Sequence, residues 1–250
     1  LIDATPIGVN VRSTVATYSG VLDELRRAFA RTEEAQAAGL KPGAFSYNTG
    51  SLRCPTCDGT GQITLDVQFL PDVDIECTDC RGSRYGAQAS QIRRDGLSLP
   101  DIMAMSVDEA RVAVRGLKKA GALLETLAGL GLGYLTLGES TPALSGGEAQ
   151  RLKLASEMGR RQDGTLFVFD EPTIGLHPDD VQVLIDVLQR LIDRGATVLV
   201  IEHDLDLIRC ADWVIDMGPG GGIEGGRIVA QGTPTDIAAS EASVTGRYLR

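Results

Sequence analysis

Apolar residues follow two distinct rhythms along this chain. Val21, Leu22, Leu25 and Phe29 recur at helical spacing, as do Leu123, Leu124, Leu127 and Leu130, and each set predicts an amphipathic helix. Ser106 followed by Glu109 reads as a capping box opening another helix. Further on the rhythm changes. Thr165-Leu166-Phe167-Val168-Phe169 and Thr197-Val198-Leu199-Val200-Ile201 are continuous apolar runs, expected of strands buried on both faces of a parallel sheet. Between them Val181, Leu184, Val187, Leu188 and Leu191 mark one face of a helix that starts at Pro178 and stops at Arg194-Gly195. Strand, helix, strand predicts a parallel α/β unit. Residues 41–88 obey neither rhythm, being broken by Gly and Pro around short β-like pieces such as residues 63–69.

Four stretches follow from this pattern: residues 1–40, turn-rich at Thr5-Pro6-Ile7-Gly8 and then helical; 41–88, carrying cysteines; 89–161, helical; and 162–250, α/β. The chain has 250 residues, 43% of them hydrophobic and 23% charged, which suits packed domains and excludes a disordered chain. No run approaches the roughly 18–20 apolar residues of a membrane span, so no membrane association is expected. Nothing at the start resembles a secretion signal, so secretion is not expected. The first residue is Leu1, so the sequence is expected to be part of a longer protein. A net charge of −10 argues against a surface that grips nucleic acid all over, while leaving room for a local basic patch.

Five cysteines are present, four of them in two close pairs. Cys54-Pro55-Thr56-Cys57 and Cys77-Thr78-Asp79-Cys80 have the spacing of a four-thiolate zinc site. Such a shell is closed to water, so its role would be structural. A redox pair or a disulfide is the alternative for each CxxC. Cys210 stands apart and reads as a small buried hydrophobe. The run from Cys54 to Gly61 also resembles the CxxCxGxG knuckle of the DnaJ-type chaperone family, and residues 77–82 resemble most of it, although that family strings four knuckles together.

Two further constellations carry chemistry. Phe167-Val168-Phe169-Asp170-Glu171 ends an apolar run in two acids, at the carboxyl end of a predicted strand, where open α/β sheets place their ligand crevice. There Asp170 can hold Mg²⁺ and Glu171 can orient or deprotonate a water. The next strand ends in Ile201-Glu202-His203, which would bring an imidazole to the same crevice. Leu144-Ser145-Gly146-Gly147-Glu148 opens a helix with a capping box. Its two glycines, poor helix formers, make sense if a phosphate approaches the bare backbone at the positive helix end.

Residues 144–150 resemble the signature motif of ATP-binding cassette (ABC) ATPases, and residues 167–171 their Walker B. Gly175-Leu176-His177-Pro178 is similar to their D-loop, and His203 to their switch histidine. The likeness is closer still to the UvrA family of excinuclease ATPases, and in particular to its second ATPase half. It is carried by Pro42-Gly43-Ala44-Phe45-Ser46-Tyr47-Asn48, the cysteine spacing, Phe69-Leu70-Pro71-Asp72, Arg84-Tyr85, residues 145–155, 170–177 and 201–205, Ala211-Asp212-Trp213-Val214-Ile215-Asp216 and Gln231-Gly232-Thr233-Pro234. The resemblance implies an ABC-type parallel sheet with helices, a helical signature subdomain and a small zinc module. It also implies a cytoplasmic, dimeric, ATP-hydrolysing protein that inspects duplex DNA for damage and passes it to a UvrB-like partner. Carried over, Asp170 serves Mg²⁺, Glu171 is the catalytic carboxylate and His203 senses the γ-phosphate. Leu144, Ser145, Gly146, Gly147 and Glu148 close an opposite ATP site, and Cys54, Cys57, Cys77 and Cys80 hold Zn²⁺ in a module that contacts or positions DNA.

The sequence also departs from that pattern. No GxxxxGK[ST] occurs, so the phosphate cradle is expected upstream of Leu1, and this stretch alone is expected to be inactive. The Q-loop segment reads Asp3-Ala4-Thr5-Pro6-Ile7-Gly8, with Ala4 in place of the family's glutamine, and Val9-Asn10-Val11-Arg12 replaces a more basic stretch. Between residues 41 and 94 basic and acidic residues balance, and Arg81 and Arg84 are candidates to offset the charge of a four-thiolate site. A drug-resistance paralogue of the DrrC type, or a zinc-knuckle module that binds protein on an ATPase scaffold, is the alternative.

Overall fold

The structure, a computed structural model, describes residues 10–65, 73–158, 164–174, 176, 178–218, 220 and 225–250. The Q-loop segment with Ala4, the Phe69–Asp72 stretch, and Gly175 and His177 of the D-loop lie outside the described residues. The chain divides into two compact units, Leu1–Arg160 and Arg161–Arg250.

In the first unit, helices α1 (Val15–Tyr18), α2 (Val21–Phe29) and α3 (Glu33–Ala37) precede an antiparallel hairpin, β1 (Gln62–Leu65) and β2 (Val73–Glu76). A second, minimal hairpin of β3 (Arg93–Arg94) and β4 (Leu97–Ser98) leads into α4 (Leu99–Met103), α5 (Val107–Ala113), α6 (Lys118–Ala128) and α7 (Gly146–Glu157). Both helical stripes read from the sequence face the core, Leu123 alone being only half-buried. Val21, Leu22, Leu25 and Phe29 of α2, and Leu124, Leu127 and Leu130 in and after α6, are buried. Local capping sets the helix starts. Ser98, Ser106 and Ser145 each exchange hydrogen bonds with the acid three residues on, so two orphan N–H groups are satisfied at each start.

The second unit holds β5 (Leu166–Asp170), α8 (Pro178–Asp193) and β6 (Thr197–Ile201), with β5 and β6 parallel and Asp170 level with Ile201. Then come α9 (Leu205–Arg209), an antiparallel pair β7 (Val214–Gly218) and β8 (Arg227–Gly232), and helices α10 (Pro234–Ala239) and α11 (Val244–Leu249). The predicted α/β unit is present, and α8 buries Val181, Leu184, Val187, Leu188 and Leu191 as its stripe requires.

Two expectations are corrected. β5 and β6 are not buried on both faces: their residues alternate, and Leu166, Val168, Leu199 and Ile201 stand exposed among the described residues. An apolar run reports what a strand can bury, not what covers it, and this sheet comprises only two described strands. Cys210 is exposed, not buried. It sits one residue past α9, whose buried face is already supplied by Leu207 and Ile208.

Candidate functional site

The cysteines are brought together as a cluster whose four sulfurs lie within 4.8 Å of one another. Cys54 Sγ is 3.9 Å from Cys77 Sγ, and Cys57 Sγ is 3.6 Å from Cys80 Sγ. A tetrahedron of sulfurs at the zinc–thiolate bond length has edges of about 3.8 Å, so the donor set fits that ion. No disulfide joins them. All four are buried, with Ile63 packed against them.

The two knuckles repeat at an offset of 23 residues, and their backbones match. Asp58 and Arg81 have φ of 51° and 49°, Gly59 and Gly82 have 78° and 72°, and Gly61 and Arg84 have 79° and 71°. This left-handed run turns the chain so that the Gly61 N–H donates to Cys57 Sγ at 3.3 Å, and the Arg84 N–H likewise addresses Cys80. Burial raises the Cys57 thiol, but hydrogen bonds from Gly61 and the neighbouring thiols outweigh it and bring it to about 7. Cys80 is pushed the other way, to about 12, by burial and by its position beside Cys57. The Thr56 hydroxyl donates to Asp79, cross-linking the knuckles.

The residues beneath the cluster anchor it. Tyr85 donates to the Phe45 carbonyl at 2.9 Å and stands edge-on to Tyr47. Tyr47 donates to the Arg12 carbonyl at 3.0 Å. Arg84 lies 5.2 Å above the Tyr47 ring and donates to the Val11 carbonyl at 3.0 Å. Arg12 and Arg53 both pair with Asp58. Arg84 is therefore a structural tie as well as a cation near the cysteines. Arg81, its predicted companion, is exposed.

At the start of α7, Ser145 Oγ accepts from the Glu148 N–H at 3.3 Å and the Ser145 N–H donates to Glu148 at 2.6 Å. The Tyr134 hydroxyl donates to the other Glu148 oxygen. Burial raises the Glu148 carboxyl, yet Tyr134 and Ser145 together hold it below the usual range. Gly146 has a negative φ, and a Cβ built there meets nothing within 4 Å. The fold of this unit therefore does not demand a glycine at Gly146.

In the second unit Asp170 closes β5, and Glu171 follows with φ of 46°, its N–H donating to the Ile201 carbonyl at 2.8 Å. His203 Nε2 lies 3.5 Å from Glu171 Oε1. Both side chains are open to solvent, His203 being 83% exposed. The sequence reading passed over Glu202 and Thr173. Glu202 accepts from the Thr173 N–H and hydroxyl on one oxygen and from the His203 and Asp204 N–H groups on the other. Burial raises its carboxyl, but these donors outweigh it and hold it below the usual range. A pairing across 29 residues leaves no local signal beyond an acid preceding the histidine.

Known proteins resemble this chain along its whole length. Over all 250 residues the chain is 50% identical to the UvrABC system protein A of Synechocystis, of Aquifex aeolicus and of Bacillus subtilis. It spans about a quarter of the length of these relatives, 26%, 27% and 26% respectively. The crystal structure of UvrA2 from Deinococcus radiodurans superposes with a TM-score of 0.90 at 45% identity, covering 100% of this chain and 31% of that one. No protein-family model matches the chain. No helix among the described residues is long and apolar enough to cross a membrane.

Proposed function

We propose that this chain is a stretch of a UvrA-family protein and that it contributes ATPase machinery to a longer DNA-repair protein. One observation carries the reading. Glu171 and His203 meet at 3.5 Å on the ends of neighbouring parallel strands, beside Asp170 and open to solvent. That is where a parallel α/β sheet presents ligand-binding groups.

In this reading Asp170 offers its carboxylate to Mg²⁺, which when bound neutralises phosphate charge and orients the transferred group. Glu171 accepts a proton from the attacking water or orients it. Its left-handed backbone turns the side chain out of the strand's alternation, and such strain clusters at working sites. His203 donates from Nε2 to the terminal phosphate. Leu144, Ser145, Gly146, Gly147 and Glu148 close the ATP site of another half, with N–H groups at the positive end of α7. The open space at Gly146 supports this, because a bare backbone there serves an incoming group and not the packing of this unit.

The cysteine cluster holds Zn²⁺ through Cys54, Cys57, Cys77 and Cys80, as its sulfur spacing supports. The parent protein acts in the cytoplasm as a homodimer, couples ATP binding and hydrolysis to inspection of damaged duplex DNA, and passes lesions to a UvrB-like partner. Similarity to proteins named UvrABC system protein A supports repair over the drug-resistance reading. The test is ATP turnover by the full-length parent and its Glu171→Gln variant. Wild-type turnover in the variant would remove the catalytic assignment.

A further inference from the structure

We propose that Glu202 is a positioning residue for hydrolysis, a carboxylate clamp that joins the turn after Glu171 to the loop carrying His203. The inference rests on the ATPase reading of Glu171 and His203 and adds a residue to it. Thr173 N–H donates to Glu202 Oε1 at 2.9 Å, with the Thr173 hydroxyl on the same oxygen. His203 N–H and Asp204 N–H donate to Oε2 at 2.6 and 3.1 Å. Four donors match the four acceptor positions of an ionised carboxylate, which has no proton of its own to offer. The His203 and Asp204 bonds are local to Glu202, whereas the two Thr173 bonds reach across 29 residues and form only when both loops are in register.

The turn that Glu202 grips is the one that needs gripping. Glu171 stands at φ of 46°, a conformation that a non-glycine residue keeps only when its surroundings over-determine it. On one side the Glu171 N–H is tied to the Ile201 carbonyl at 2.8 Å, on the neighbouring strand. Two residues further on, Thr173 is tied to Glu202, which follows that same strand. Glu171 is thus held at both ends against the segment that carries His203. Glu202 touches neither reacting group itself; its carboxylate is fully engaged with Thr173, His203 and Asp204.

The experiment compares the full-length parent with its Glu202→Ala, Thr173→Val, doubly substituted and Glu171→Gln variants. Steady-state ATP turnover is measured together with amide hydrogen exchange over residues 170–176 and 201–206. Misplacing reacting groups by about an ångström costs on the order of 10²-fold, so Glu202→Ala is expected to lower kcat by roughly 10- to 100-fold, with KM for ATP within about threefold of wild type. Exchange is expected to speed up in both segments while the melting temperature of the protein holds. Thr173→Val is expected to cost much less on top of Glu202→Ala than alone, because the two share one set of bonds.

A kcat within twofold of wild type in Glu202→Ala overturns the clamp. So does a parallel collapse of kcat, ATP affinity and melting temperature, which would mark Glu202 as a general fold residue. Strictly additive effects of the two substitutions would also overturn it. If Glu171→Gln turns over normally, the ATPase assignment fails instead, and the exchange measurement still decides whether Glu202 holds both loops.

Discussion

Arg84 adopts the backbone conformation of Gly61. Their φ angles are 71° and 79°, and in each knuckle that residue's N–H addresses the second cysteine sulfur of the pair. An arginine in this region costs about 1–2 kcal/mol relative to a relaxed backbone. Its side chain offsets the cost by lying over Tyr47 and donating to the Val11 carbonyl. Burial pulls the Arg84 guanidinium below its ordinary value without displacing its proton, since arginine starts so high.

Arg84→Gly is therefore expected to keep the proposed zinc and lose the tie. The backbone relaxes, but a charge-assisted hydrogen bond and a cation–π contact disappear, for a net loss of about 1–2 kcal/mol. Metal content by atomic spectroscopy should stay at the wild-type value while the denaturation midpoint falls. Loss of the metal would show that Arg84 acts on the cysteines directly.

Gly59 admits no substitute. A Cβ there would lie 1.8 Å from the Tyr47 carbonyl oxygen, and φ is 78° besides. Gly59→Ala is expected to destabilise the first unit by on the order of 3 kcal/mol, combining steric displacement and backbone strain. Gly39 is the control, with φ of 67° and nothing within 4 Å, and Gly39→Ala should cost only about 1 kcal/mol. Equal midpoint shifts for the two would contradict the packing argument.

Gly146→Ala separates stability from function. Nothing obstructs the new methyl and the backbone is already helical, so the melting temperature should hold or rise. If Gly146 faces ATP as proposed, turnover by the full-length parent should nonetheless fall, because the methyl would stand in the way of the phosphate. Unchanged turnover would remove this position from the proposed ATP site.

Zinc should be present at one ion per chain and be lost in Cys57→Ser. Site closure supplies roughly 10–16 kcal/mol of apparent folding energy in small zinc domains, so chelation should loosen the knuckles before the β5–β6 pair. Amide exchange reads the order of events. Iron in place of zinc, or loss of the parallel pair first, would count against a structural zinc.

The capping boxes make stability acid-sensitive. Asp101 is held below its usual value first by the Ser98 N–H and then by the Ser98 hydroxyl, and Glu109 is held low in the same way by Ser106. A depressed carboxylate stabilises the folded state above its unfolded pKa and loses that contribution as pH falls through the folded one. Melting temperature should therefore decline below about pH 4. Asp101→Asn and Glu109→Gln should each flatten that decline, and an unaltered slope would exclude the caps as its source.

By itself the sequence determined the local elements and the identity of the chemical groups. Helical spacing marked α2, α6 and α8, and apolar runs ending in Asp170-Glu171 and Glu202-His203 marked two parallel strands. The paired CxxC spacing marked four cysteines that do converge. These signals are short-range consequences of residue size, polarity and backbone freedom, and so are written in consecutive positions. Tertiary structure decided the rest. It left one face of β5 and β6 open and Cys210 exposed, because burial depends on what packs opposite. It set Arg84 in a glycine's conformation, supported by a ring 37 positions earlier in the chain, at Tyr47. It also closed Glu202 onto Thr173 across 29 residues, a contact that exists only once two strand ends lie side by side.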